Sequence, residues 1–233
     1  MSDLGIMLWK ELAETWANRR AVRIFAVSVL FLGLLPALTM NAHLPPQVAT
    51  FIYLPYVLLT AMITAAQTGT DLVLRERTSH TLETLLASRL PDEAIFGGKV
   101  AAAVLTGLAA ALVTMAVQIA ALDTSGRASG LVYLATPVGR LLYLGAPLLL
   151  AAYLAPVAVF VALRVSDQRS AYMLTMASVT VLLLPFILHL VHLTFSLSWL
   201  GSAAAVLAVV DAVLIVAGGH FFRRERLILY LQD

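Results

Sequence analysis

Six apolar stretches, each close to the length of a membrane-crossing helix, alternate along this chain with short polar segments. A helix needs roughly 20 apolar residues to span a bilayer. The stretches run from Ile24 to Met40, Val48 to Gln67, Val100 to Leu122, Leu141 to Leu163, Tyr172 to Phe195 and Trp199 to Phe222. The expected fold is an all-α membrane protein of six transmembrane helices, forming one domain over residues 1–233. Two shorter segments are amphipathic instead: residues 1–20 and the region 76–90 between the second and third spans.

Composition agrees with this pattern. Of 233 residues, 61% are hydrophobic and 12% are charged. Soluble domains carry about 25% charged residues. A chain of this size has no core large enough to hide that much apolar surface, so lipid is part of its solvent. There is no Cys, which excludes disulfides, thiol catalysis and thiolate metal sites. No basic run with interleaved aromatics points to nucleic acid. Asp3, Glu11 and Glu14 precede the first apolar run and no small-residue cleavage site follows it, so that run is expected to stay in the protein.

Lys and Arg placement sets the expected orientation. Lys10, Arg19, Arg20 and Arg23 lie before the first span, and Arg75, Arg77, Arg89 and Lys99 between the second and third. Arg164 and Arg169 follow the fourth span, and Arg223, Arg224 and Arg226 follow the sixth. The opposite loops hold only Arg127 and Arg140. Both ends are therefore expected in the cytoplasm, with 13 of the 15 basic residues on that side.

Written as a helix, Leu4 to Asn18 places Trp9, Leu12, Ala13 and Trp16 on one face and Lys10, Glu11, Glu14 and Asn18 elsewhere. That fits a helix lying in the headgroup region with its indoles at the interface, or a cytosolic amphipathic lead-in. In the loop from Asp71 to Lys99, Leu82, Leu85 and Leu86 form an i, i+3, i+4 stripe. Glu76, Arg77, Glu83 and Arg89 surround it, Thr81 is a possible N-cap, and Pro91 stops or turns the helix. Such a helix either caps the bundle or docks in a groove of a soluble partner.

Pro36, Pro55, Pro147, Pro156 and Pro185 fall inside spans, where each removes a backbone donor and tends to kink its helix. Ala102, Thr106 and Ala110 recur every four residues in the third span, with Gly107 beside them. Small residues there allow close helix approach, for static packing or for a sliding interface. Asp211 lies near the middle of the sixth span. A carboxylate at that depth costs roughly 2.5 to 3.5 kcal/mol on insertion scales. It is expected to face the bundle, either lining a pathway or switch or holding a structural hydrogen bond. His189 and His192 share a helix face but lack a third ligand, so they are read as polar residues near the outer end.

Catalytic readings find no support in the sequence. Ser178 and His189 are eleven residues apart on one helix, too far to meet. Gly98-Lys99 is not a P-loop, because Glu93 stands at the first glycine position and Val100 at the Ser/Thr position. No catalytic or metal-binding residue is expected, and any ATP chemistry belongs to another chain.

The run from Arg75 to Leu90, continuing to Ile95-Phe-Gly-Gly-Lys99, resembles the cytoplasmic loop of ABC-2 type permeases. That loop commonly reads E-R-E-x-G-T-x-E-x-L-L, followed by I/L-x-x-G-K. Glu76, Arg77, Thr81, Glu83, Leu85, Leu86, Gly98 and Lys99 match, whereas Thr78 replaces the second acid and His80 the glycine. Trp9-Lys10-Glu11-Leu12, Asn18-Arg-Arg20 and Phe222-Arg-Arg-Glu-Arg-Leu227 are similar to the family's terminal elements. The resemblance implies a membrane subunit of a bacterial ATP-driven exporter in the inner membrane. It would pair with a second copy or a paralogous permease and with two ATPase subunits, which bind ATP and Mg. It also implies that the helix carrying Glu76, Arg77, Thr81, Leu82, Glu83, Leu85, Leu86 and Arg89 couples to the ATPase. A haem-exporter-like subunit of cytochrome c maturation and a non-transporting membrane scaffold are the alternative readings.

Overall fold

The fold comes from a computed structural model that describes residues 2–39, 46–79, 81, 89–124, 134, 137–165, 167–191 and 197–221. The described residues are almost wholly helical, and no strand occurs among them. The helices are α1 (Asp3–Ala17), α2 (Arg19–Thr39), α3 (Pro46–Thr78), α4 (Asp92–Thr124), α5 (Pro137–Arg164), α6 (Gln168–Val191) and α7 (Leu197–Phe221).

Four of them contain segments long and apolar enough to cross a membrane: Tyr53–Thr78, Asp92–Ala121, Pro137–Arg164 and Ser198–Gly219. The chain is therefore an all-α membrane protein. The other two expected spans correspond to α2 and α6 and run into residues 40 and 192–195, which lie outside the described set.

α3 is the central helix and α7 a peripheral one: 72% of the spanning window of α3 is buried, against 11% for α7. α3 packs along α4 and α5 through small side chains, with Val57, Ala61, Ala65, Ala103, Ala155 and Ala158 fully enclosed. Lipid tails are as apolar as these side chains, so close van der Waals packing holds the helices together. Thr60, Thr64, Thr70, Thr106 and Thr175 each donate to the carbonyl four residues back, at 2.7–3.0 Å. Their hydroxyl protons are thereby satisfied within the apolar interior.

Two helices extend further than the hydrophobic runs indicate. α3 continues past Gln67 to Thr78, and α4 begins at Asp92 rather than near Val100. Gly97-Gly98-Lys99 is consequently helical instead of loop. Pro91 precedes α4, where its carbonyl accepts from Ala94 and Ile95 at 2.9 and 3.2 Å. In α5 the residues Leu141–Gly145 form a π-helical turn, closed by Ala146 N–H donating to the Leu141 carbonyl. Pro147 follows at once. It has no N–H to offer the Tyr143 carbonyl, and the widened turn is the local adjustment to it.

α1 and α2 meet at an elbow on Asn18. Its N–H bonds to the Glu14 and Thr15 carbonyls, closing α1, and its Oδ1 accepts from Arg20 N at 3.1 Å, opening α2. Trp16 and Phe25 brace the bend edge-to-face at 5.2 Å. Asp167 opens α6 by accepting from Ser170 N and Oγ, both at 2.8 Å, which holds its carboxyl below the usual range.

Candidate functional site: a buried ion cluster joining three helices

At the end of the bundle where α3 finishes and α4 starts, four charged side chains converge. Lys99 of α4 is completely buried. Its Nζ lies 2.9 Å from Glu11 Oε1 and 2.7 Å from Glu76 Oε2, and it donates to the Leu72 carbonyl at 3.4 Å. Glu11 Oε1 and the Leu72 carbonyl accept hydrogen bonds from this ammonium, and Glu76 Oε2 is held to it as an ion pair. Lys10 closes the cluster from the rim, 3.1 Å from Glu76 Oε1, 3.6 Å from Glu11 Oε1 and 3.5 Å from Glu14 Oε1. Two lysines thus balance Glu11 and Glu76, and α1, α3 and α4 are tied at one point.

The helix geometry explains why these residues meet. Met7, Glu11 and Thr15 recur every four residues and form the buried face of α1. That face lies against Gly98, where a side chain would come within 2.6 Å of Met7 Cγ, and beside it a side chain at Gly97 would come within 3.1 Å of Leu4 Cδ1. The two glycines let α1 approach α4 closely enough for Glu11 to reach Lys99. Of the polar residues of α1, Glu11 faces inward to the bundle, while both indoles face outward. Trp9 is 70% exposed, Leu4, Ile6 and Trp16 are also exposed, and Leu12 is half-buried.

Burial dominates the electrostatics of Glu11. It raises the carboxyl's pKa, and the Lys99 charge offsets this only in part. Its second oxygen, Oε2, has no hydrogen-bond partner among the described residues. Burial pulls the Lys10 pKa down, but the carboxylates of Glu11, Glu76 and Glu14 outweigh it and the net direction is up.

The other expected site residues are placed as follows. Arg77 reaches α5: its Nη1 donates to the carbonyls of Ala162, Leu163 and Val165 at 3.0, 3.2 and 3.3 Å. These lie at the C-terminal end of α5, where a cation also meets the negative end of the helix dipole. Thr81 and Arg89 are exposed, and Thr81 Oγ1 lies 2.8 Å from Ser79 Oγ. Leu82, Glu83, Leu85 and Leu86 lie outside the described residues. Asp211 is buried on α7, and neither of its carboxylate oxygens has a partner among the described residues. His192 is outside the described set. Among the described residues no group of three or more His, Asp or Glu is positioned to hold a metal.

Two features escape a local reading of the sequence. Lys99 is the centre of the cluster, and its partners are 88 and 23 residues away in the chain. The Gln168 amide donates to the Asp71 carboxylate, joining α6 to α3 across 97 residues. The one available signal was the lysine at the border of an apolar run.

The Arg77 contacts carry an expected result. Hydrogen bonds from a charged group contribute about 1.5–3 kcal/mol, and Arg77 is half-buried. Arg77→Ala should lower stability in detergent by about 2 kcal/mol, with Arg77→Lys recovering only part because it lacks the planar fork. Unchanged unfolding of Arg77→Ala would remove the capping role.

No family model matches the chain. No curated protein matches it either.

Proposed function

We propose that this chain is the membrane subunit of an ATP-driven exporter of the ABC-2 type. It would form the translocation pathway as a six-span dimer, both ends inside, in a bacterial inner membrane. ATP and Mg would be bound by two partner ATPase subunits. The observation that supports this reading best is convergence. Lys10 and Glu11, Glu76, and Lys99 belong to three separate segments that resemble the family, and they meet in one buried cluster.

The cluster lies where force would have to pass. Residues 79–91 connect the ends of α3 and α4. Glu76 sits just before that connection and Lys99 just after it, and both grip α1 through Lys10 and Glu11. A push on the connection would therefore shift α1, α3 and α4 together as one body, the kind of rigid motion that changes access in transporters. In this arrangement Glu76 and Arg77 transmit within the bundle, and Leu82, Leu85 and Leu86 supply the apolar stripe for docking the ATPase.

Replacing Leu85 and Leu86 with Glu tests the reading. Purified from its own host's membranes, the wild-type chain should bring down a P-loop ATPase whose ATP hydrolysis rises on assembly. The double variant should fold, retain its unfolding temperature and lose the ATPase. If no P-loop ATPase accompanies the wild type, the exporter reading fails. If the variant keeps it, the docking assignment fails.

A further inference from the structure

The half of the bundle opposite the ion cluster contains a cavity of about 380 Å³ between α3, α5 and α7. Its walls include Leu58, Leu142 of the π-helical turn, Leu150, Trp199, Ala203 and Leu207. Among the described wall residues the only hydroxyl, that of Ser202, donates to the Trp199 carbonyl at 2.8 Å. A water needs two to four polar partners to stay in a cavity, and apolar cavities remain dry. A dry void of about 150 Å³ already admits one benzene ring, so this one has room for a chain segment.

We propose that this cavity holds an acyl chain of a bilayer phospholipid. All three helices that line it contain membrane-crossing segments. Its lining residues lie in the first half of α5, counted from Pro137, in the first half of α3, counted from Pro46, and between the start and the midpoint region of α7, from Trp199 to Val210. They therefore occupy one leaflet, at the depth where acyl chains lie. The cavity is open on the α7 side, and its wall residue Val206 is 65% exposed. Val209, Val213 and Val216 extend that exposed apolar surface along the helix. Among the described wall residues on that side, Ala204, Val206 and Val210 are apolar, so an acyl chain meets apolar surface there. Without it, the wall atoms lose dispersion contacts on one side. This inference does not depend on the exporter reading.

Trp199 reports directly on occupancy. The chain has three Trp, and Trp9→Phe with Trp16→Phe leaves Trp199 alone. The test titrates phosphatidylcholine with brominated acyl chains into this full-length variant in detergent micelles and reads the Trp199 emission. Saturable quenching is expected. Ala203→Phe and Ala146→Phe fill the cavity from different helices. Each should abolish the saturable component while leaving helical content unchanged, so failure of one to fold leaves the other. Quenching that never saturates, or that survives both substitutions, reflects contact with the surrounding lipid alone and overturns the proposal. Absence of quenching means that protein covers the site, including a second copy, and also overturns it. Quenching by brominated fatty acid but not by brominated phospholipid would overturn the assignment to a bilayer lipid.

Discussion

Lys99→Met should be the most damaging single substitution at the end of the bundle that holds the ion cluster, lowering stability by about 3–5 kcal/mol. It removes the only fully buried cation of the cluster and leaves Glu11 facing Glu76. Lys10 can neutralise part of that charge, but it is half-exposed and already shared among three carboxylates. The damage should centre on α1, whose buried face has Glu11 at its middle. Thermal unfolding in detergent gives the global effect, and proteolysis between α1 and α2 reads local release. Lys99→Met unfolding like the wild type would show that the cluster holds nothing.

The pair Glu11→Leu with Lys99→Met should be milder than Lys99→Met alone. Breaking a buried ion pair leaves an uncompensated charge, whereas replacing both partners with apolar groups is often neutral. The raised pKa of Glu11 means that its lysine partners do not fully repay its desolvation. The sign of the pH dependence follows. A carboxyl whose pKa is raised on folding holds its proton more tightly in the folded state, so stability is greatest below its ordinary 4.5 and declines as pH rises through the folded value. Removing Lys99 should steepen that decline, because two facing carboxylates resist ionising together. Lys99→Met is thus expected to regain part of its lost stability near pH 5, and Glu11→Leu/Lys99→Met should show a flatter profile.

How far the sequence reveals this arrangement depends on the range of the interaction. The apolar runs identify α3, α4, α5 and α7 as membrane-crossing, because chain length and hydropathy are local properties. Helix ends are harder to read. Asp71, Glu76 and Lys99 lower the hydropathy where α3 and α4 in fact continue, since each is paired inside the bundle rather than solvated. Pairing partners 66 to 97 residues apart leave no trace in local spacing. Arg77 illustrates the same limit: beside a loop it reads as a surface cation, yet its three acceptors lie 85 to 88 residues further on. The small-residue pattern around Gly107 was visible, whereas its partner helix was not.

That partner is α3, and the contact sets the second large effect. A Cβ at Gly107 would lie 2.8 Å from the Ala61 carbonyl oxygen and 2.9 Å from Ala65 Cβ. Neither obstacle can rotate away, one being backbone and the other a methyl fixed to it. Gly107→Ala should therefore push α3 and α4 apart and lower stability by about 1–3 kcal/mol, the usual range for overpacking. Gly107→Leu should prevent the central pair from closing and leave little folded protein. Two other glycines serve as controls. At Gly98 the Met7 Cγ at 2.6 Å can rotate but the Met7 Cβ at 2.9 Å cannot, so alanine there should also destabilise, displacing the outer helix α1 rather than the central α3 and so costing less than at Gly107. At Gly201 no atom lies within 4 Å, so Gly201→Ala should be neutral or stabilise the helix by about 0.5–1 kcal/mol. Unfolding temperatures of the three alanine variants in one detergent check the order, with Gly107 lowest and Gly201 highest. Equal temperatures for Gly107→Ala and Gly201→Ala would mean that α3 and α4 are not packed backbone to backbone, and close packing would then not be what sets the spacing at the centre of the bundle.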